Sequence, residues 1–451
     1  MAAVSTTTFD ERALEALPDG AASTAAQRRQ ALELFRSTPL PSQETEEWRY
    51  TDLSDFDLDF ASFTPGRTAT SLDEVPAELL TAAGAVDQRA ALLIQHNSTT
   101  AIAHLDPAVR GANEREADVR SKVHFESIDD ALHDHSEMVE PYLHALVPPG
   151  RTTFTALHAA FRTGGTFVLV PDDTKIDLPI QALTYLDADG AAVFPHTLLV
   201  VGANAEVTFI DRYVSPKLAR AFSDAIVEIH VGDGAHVRYV SVQEWGDGVT
   251  HLGIQRARVG RDATFRSLNI GFGASLARAE AETVLSEPGG FSEMLGIFFA
   301  DEDQHFDHRS IQDHVAPNCT SDLLYKGALR DHSRAVYSGW VHVRPDAQKT
   351  NAMQTSRNIV LSEHAKADAI PNLEIEANDV RCGHAASVGP VDEDAVFYLM
   401  SRGIPRPEAE RLIVSGFFQE VLDRVKIDEV REGAERAIQD ELDRSELERS
   451  A

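Results

Sequence analysis

The chain has 451 residues, 43% hydrophobic and 25% charged, an ordinary globular composition with material for a sizeable core and length for two or three structural regions. Its formal charge of −31 reads as a solvated acidic surface and argues against nucleic acid as a partner, because phosphate backbones call for clustered Lys and Arg. Two cysteines, Cys319 and Cys382, form no disulfide framework and fit a reducing compartment. With no apolar run of membrane length and no signal-peptide pattern around Asp10 and Glu11, a cytoplasmic protein without a membrane partner is expected.

Residues 1–150 read as an N-terminal helical and mixed region. Ala25–Arg36 places Ala31, Leu32, Leu34 and Phe35 near one helical face, and Pro39 and Pro41 stop it. A polar stretch around two large aromatics follows, Glu46-Glu47-Trp48-Arg49-Tyr50-Thr51-Asp52-Leu53. Beyond residue 60, short apolar runs such as Ala90–Ile94 alternate with acidic helical patches such as Ile128–His135.

Residues 151–385 change character. β-rich runs (Thr166–Val170, His196–Val201, Ala205–Ile210, Ala235–Val242) are separated by Gly, Asp and Asn. Gly202-Ala-Asn-Ala205 is echoed by Gly232-Asp-Gly-Ala235 and Gly260-Arg-Asp-Ala263, with a looser copy at Gly289-Gly290, so the glycines fall 30, 28 and 29 residues apart. Ser333-Arg-Ala335 and Glu363-His-Ala365 repeat a similar pattern. A fixed period with strands in each unit marks a solenoid whose coils share one core, with glycine at corners that need unusual φ values. A propeller wants longer units, and a β-sandwich is the plainer alternative.

Residues 386–451 turn helical. Asp392 is an N-cap candidate ahead of an acidic first turn, Gly403 a stop, and Pro407 the opening of a second helix with the stripe Leu412, Ile413, Phe417, Val421, Leu422 and Val425. The segment from Asp428 reads as a third helix fraying into a tail. Three such helices can cap a solenoid's open end. Phe417 and Phe418 are adjacent, so one core cannot take both.

Cys382-Gly383-His384 is the first chemical candidate, since thiolate and imidazole are ligands for a soft or borderline metal; a buried thiol beside a hydrogen-bonded histidine is the alternative. The second is Gln304-His305-Phe306-Asp307-His308 with His314, where His305 and Asp307 share a strand face, either as a metal site or as a hydrogen-bonding ladder. An iron–sulfur cluster takes four protein ligands, mostly thiolates, and two cysteines 63 residues apart cannot hold one alone. No phosphate-binding loop, dinucleotide fingerprint, nucleophile elbow or His-Glu-x-x-His motif occurs, so no catalytic residue is assigned. Asp301-Glu302-Asp303 supports an alternative, a β-helical polysaccharide-active enzyme, less well than it supports a solvated corner.

Two blocks carry a resemblance. Val343-Arg-Pro-Asp-Ala-Gln348-Lys-Thr350-Asn-Ala-Met-Gln354-Thr-Ser-Arg-Asn358-Ile-Val-Leu361-Ser362 is the first. The second is Pro371-Asn-Leu-Glu374-Ile-Glu-Ala-Asn378-Asp379-Val380-Arg-Cys382-Gly-His384, continued by Phe397-Tyr-Leu-Met-Ser401-Arg402-Gly403-Ile404. Together they resemble the SufB/SufD family of the SUF iron–sulfur cluster assembly system. The Asp-Val-x-Cys-x-His segment and Glu47–Asp52 have the SufD form; Ala385-Ala386 departs from the family's usual Gly-Ala. The resemblance implies a mainly β protein, a right-handed parallel β-helix between an N-terminal helical region and a C-terminal helical domain. It implies a scaffold rather than an enzyme, pairing with SufB through the β-helix and docking the SufC ATPase through the C-terminal helices. His384, and less strongly Cys382, would contribute to a transient cluster shared with SufB, as ligand or proton carrier. Reduced flavin is associated with such complexes, and no residue here is assigned to it.

Overall fold

The alternating segments resolve into strands stacked in parallel, coil upon coil. A computed structural model describes residues 8–18, 22–110 and 122–449. Among these, two ten-stranded sheets form the walls of a solenoid. The first sheet runs from Ala91–His96 and Ile180–Tyr185 to Asn351–Val360 and Arg381–Pro390; the second runs from Thr166–Val170 and His196–Val201 to Arg334–Val343 and Lys366–Ile375. Parallel ladders along both walls, up to one antiparallel strand at the N-terminal end of each, exclude the antiparallel sandwich. Strands of the first sheet already occur within residues 1–150.

Register turns the sequence period into columns. Val207, Val237 and Phe265 are direct neighbours and face inward, against Ile229, Val231 and Val259 of the opposite wall. Each large side chain so buried contributes about 1.5–3 kcal/mol relative to exposure. Ala205, Ala235 and Ala263, each 0% exposed, line the corner ahead of them.

The corner glycines work differently from the sequence-based expectation. Gly202, Gly232 and Gly260 are absent from the positive-φ positions; that conformation falls two residues later, on Asn204 (φ 55°), Gly234 (68°) and Asp262 (53°). What Gly232 needs is space: a Cβ there would lie 2.7 Å from the backbone carbon of Gly202 in the preceding coil. Phe291 pairs with Thr264, so Gly289 answers Asp262 rather than Gly260, and it takes the positive φ (81°) itself. Asn, Asp and Gly tolerate that conformation best.

At the N-terminal end each sheet closes with an antiparallel strand, Thr99–Leu105 on the first and His124–Ser127 on the second. The C-terminal helices do not cap the other end. Arg406–Leu422 and Asp428–Arg449 lie along the outer face of the first sheet, where Val414, Phe418, Val430, Ala434 and Ile438 pack on Val240, Leu268, Leu295 and Leu324. Outward residues of these strands are themselves apolar, which is why the helices settle there. The last helix is packed over its buried face rather than fraying from the start. Phe418 is buried, whereas Leu412 of the expected stripe is exposed and Phe417 lies under the Lys326 ammonium, 4.6 Å from the ring centre. Asp392 caps the helix Glu393–Ser401, its Oδ1 accepting from the Asp394 and Ala395 amides, and Gly403 follows with φ 87°. No helix among the described residues is long and apolar enough to cross a membrane.

Candidate functional site at the open end of the solenoid

Lys366–Ile375 and Arg381–Pro390 terminate the two sheets, and each pairs with a single neighbour among the described residues. Their outer edges leave rows of backbone N–H and C=O groups without ladder partners, an arrangement that proteins normally cover or charge. Lys366, Glu374 and Arg381 supply charge here, and apolar side chains share the rim with them: Ile375 is 42% exposed and Val388 44%.

Cys382 and His384 lie on that last strand. The register sets Cys382 beside Ala352 and His384 beside Gln354, both 0% exposed in the solenoid interior. Alternation therefore puts Cys382 and His384 in the same interior columns, one coil further on. No coil follows, so His384 is exposed and Cys382 half-buried against Val341, Val343, Ala347 and Ala377. Burial pushes the Cys382 thiol up, with a backbone hydrogen bond from Ala352 opposing it, so near neutral pH it is protonated until a metal or base removes the proton.

Beneath the rim the interior is polar. Gln354 Nε2 donates to the Tyr337 hydroxyl at 3.1 Å, and that hydroxyl lies 2.6 Å from Ser310 Oγ. Gln312 Nε2 donates to Ser321 Oγ at 2.6 Å, itself 2.8 Å from His314 Nε2. Gly339 makes room for this layer, since a Cβ there would fall 1.6 Å from Gln354 Nε2. The side-chain oxygens of Gln312, Gln354 and Asn358 are buried without hydrogen-bond partners. Sequence reading missed this layer because glutamine and asparagine on a strand carry no spacing motif.

The other sequence candidates separate from the rim. Cys319 sits two strands away, 0% exposed, in the column of the corner alanines with Gly290 between it and Ala263, its Sγ donating to the Glu287 carbonyl at 3.3 Å. Burial raises its pKa as well, so it packs as a small apolar group. His305 and Asp307 do share a face, and both meet Thr51: Oγ1 lies 3.1 Å from His305 Nε2 and donates to Asp307 Oδ2 at 2.7 Å. Asp307 also pairs with Arg278, whose guanidinium lies 4.1 Å from the Trp48 ring centre. The aromatic stretch Glu47–Asp52 is thereby fastened to the solenoid, and this half of the histidine-rich segment is a clamp. His308 stacks on Phe298 at 4.6 Å. Asp301 is ion-paired with Arg330 at 3.0 Å and Asp303 is exposed, which fits a corner.

On the outer face near the rim, ligand atoms of His342, Glu374 and Glu376 lie within 4.8 Å of one another. His342 is 3.5 Å from Glu376 and 3.7 Å from Asp313, which Arg344 holds by two hydrogen bonds. The alternation of Leu373-Glu-Ile375-Glu was the available signal. The rim itself offers one imidazole and one thiol, both suited to iron. Two donors fall short of the four ligands that an iron–sulfur cluster takes.

Residues 184–417 match the family described as "SUF system FeS cluster assembly, SufBD core domain", and residues 92–182 match the SufBD protein N-terminal region. The chain is 30% identical over 414 residues to the iron–sulfur cluster assembly protein SufD of Bacillus subtilis, covering 90% of each chain. It is 35% identical over 289 residues to a SufBD family protein of Mycobacterium tuberculosis, covering 62% of this chain and 72% of the relative. A SufBD family protein of Staphylococcus epidermidis is 28% identical over 410 residues, covering 87% and 83%.

Proposed function

The chain belongs to the SufBD family of the SUF iron–sulfur cluster assembly system, and from that membership we propose that it is the SufD-type scaffold subunit, with no catalytic turnover of its own. The observation that carries the reading is the open end of the solenoid: two uncovered ten-residue edges surrounding Cys382 and His384. A SufB solenoid ending in the same way can extend both sheets across the two chains by strand addition. The nascent cluster is cargo at that junction. His384 donates a ligand or carries a proton there, Cys382 is the secondary donor, and the partner supplies the remaining ligands.

The helix Glu393–Ser401 supports the second interface. Phe397 is 72% exposed and Tyr398 56%, with Met400 at 43%, an apolar patch suited to the SufC ATPase. Because Arg406–Leu422 packs on the first sheet, movement imposed by SufC would reach the solenoid wall directly. A reducing cytoplasm suits two free thiols. Any reduced flavin in the complex is assigned to no residue of this chain.

The test is co-expression with SufB and SufC, purification without oxygen, and comparison of wild type with His384→Ala after cluster reconstitution. The expected result is an intact complex with reduced cluster content in the variant. An intact complex with full cluster content removes His384 from the site, and failure of the wild type to associate overturns the scaffold reading.

A further inference from the structure

A second group of histidines lies on the outer face of the second sheet, far from the rim in sequence. His196 and Glu228 sit on the adjacent strands His196–Val201 and Ala221–Val231, His158 on the helix Thr153–Phe161, and His144 in the segment leading to it. His158, His196 and Glu228 are buried at 0%, 1% and 0% exposure.

The hydrogen-bond directions in this group are fixed from one end. His158 Nδ1 lies 2.8 Å from the Asp224 carbonyl oxygen, which can only accept, so Nδ1 carries the proton and Nε2 a lone pair. His196 Nδ1, 3.1 Å from that Nε2, must then be the donor, leaving the lone pair of His196 on Nε2. That lone pair faces Glu228 Oε2 at 3.1 Å. Glu228 meanwhile accepts three backbone N–H groups, from His144 (2.7 Å), Leu146 (2.6 Å) and Val147 (2.9 Å), which favour the ionised carboxylate against the burial that raises its pKa. Two acceptors therefore oppose each other in a buried site. His144 Nδ1 is also buried and has no hydrogen-bond partner.

A proton shared between His196 and Glu228 would relieve that contact and leave His144 unsatisfied. One cation bound through His196 Nε2, Glu228 and His144 Nδ1 would relieve both. The ligand atoms of His144, His196 and Glu228 lie within 4.8 Å of one another, a span that a tetrahedral or trigonal centre with ligand distances of about 2.0–2.2 Å can draw together. His158 and the Asp224 carbonyl supply the outer hydrogen-bonded layer that orients a ligating imidazole. Access exists as well: His144 lines a cleft of about 250 Å³ with Arg28, Glu140, Leu143 and Arg162. The positive charge of Arg162 is met by Asp129 at 2.9 Å.

We propose that His144, His196 and Glu228 bind one transition-metal dication of borderline softness, zinc or ferrous iron, with a fourth position open toward the cleft. Two imidazoles and a carboxylate favour these ions over magnesium or calcium, which prefer all-oxygen sites.

The test uses the full chain in a Cys382→Ser/His384→Ala/His342→Ala background, so that neither the rim nor the outer-face group of His342, Glu374 and Glu376 contributes its imidazole or thiol ligands. After chelator treatment it is titrated with zinc(II), with ferrous iron under anaerobic conditions, and with magnesium(II), following stoichiometry by elemental analysis and the visible absorption of a cobalt(II) substitute. One equivalent of zinc or iron, a tetrahedral-type cobalt spectrum and a metal-dependent rise in Tm are expected. His144→Ala, at the partly exposed end of the set, should weaken binding more than tenfold and abolish the Tm rise, and His158→Ala should weaken it about 10–100-fold by freeing the His196 ring. Unchanged affinity in His144→Ala, absence of a bound equivalent, or equal binding of magnesium overturns the proposal.

Discussion

His384 stands beside Gln354 in strand register, one on the exposed rim and the other fully buried one coil below. Equivalent positions in one column thus carry unequal shares of stability. His384→Ala should change the unfolding free energy of the isolated chain by no more than about 0.5 kcal/mol. Gln354→Ala, which loses the bond to Tyr337 and opens a cavity, should cost about 2 kcal/mol. Urea unfolding of the two variants measures the difference, and equal costs would refute the stacked-column description.

Thr51 is the polar anchor of the N-terminal segment, completely buried between His305 and Asp307. Thr51→Val keeps the shape but withdraws the hydroxyl, which should cost about 1–3 kcal/mol. The segment should also become cleavable by protease before the solenoid unfolds. Simultaneous loss of both regions would show that the clamp is not a separate unit.

Burial holds His251 down to about 3, and His308 and His314 to about 4. In the unfolded chain these rings titrate near pH 6.5, so below that value the unfolded state takes up protons that the folded state refuses. Their stabilising contribution is complete above about pH 6.5 and declines as pH falls, each ring adding a slope of about 1.4 kcal/mol per unit. The urea midpoint should therefore drop between pH 6.5 and 4.5, with a shallower slope in His251→Gln. An identical slope in that variant would exclude His251 as a contributor.

Phe418 and Phe397 separate packing from availability. Phe418 lies fully buried against the first sheet, and its replacement by Ala should cost about 3–5 kcal/mol. Phe397→Ala should leave the Tm nearly unchanged while weakening retention of SufC in a pull-down. Full retention would move the SufC surface elsewhere.

The solenoid was legible because its coils share one core: the strand after Gly232 had to repeat the one after Gly202. Tertiary placement was not legible. Nothing local says that Phe418 rather than Leu412 turns inward, since that depends on the apolar outer face of strands up to two hundred residues earlier. The φ-demanding position lies two residues beyond the corner glycines, on Asn204, Gly234 and Asp262, whereas Gly202, Gly232 and Gly260 answer the close approach of neighbouring coils. Cys382 and His384 were readable as a spaced pair, whereas His144, His158, His196 and Glu228 meet only through folding.

Coils of this kind offer the same two backbone ladders at every level, so stacking alone has no natural stop and identical units could propagate into a fibre. Thr99–Leu105 and His124–Ser127 break that possibility by running against the grain of their sheets at the far end. They act as chain terminators. On the proposed pairing, an incoming solenoid would find matching parallel ladders on one side of the molecule only, so growth would stop at a closed pair despite the long, uncovered β edge.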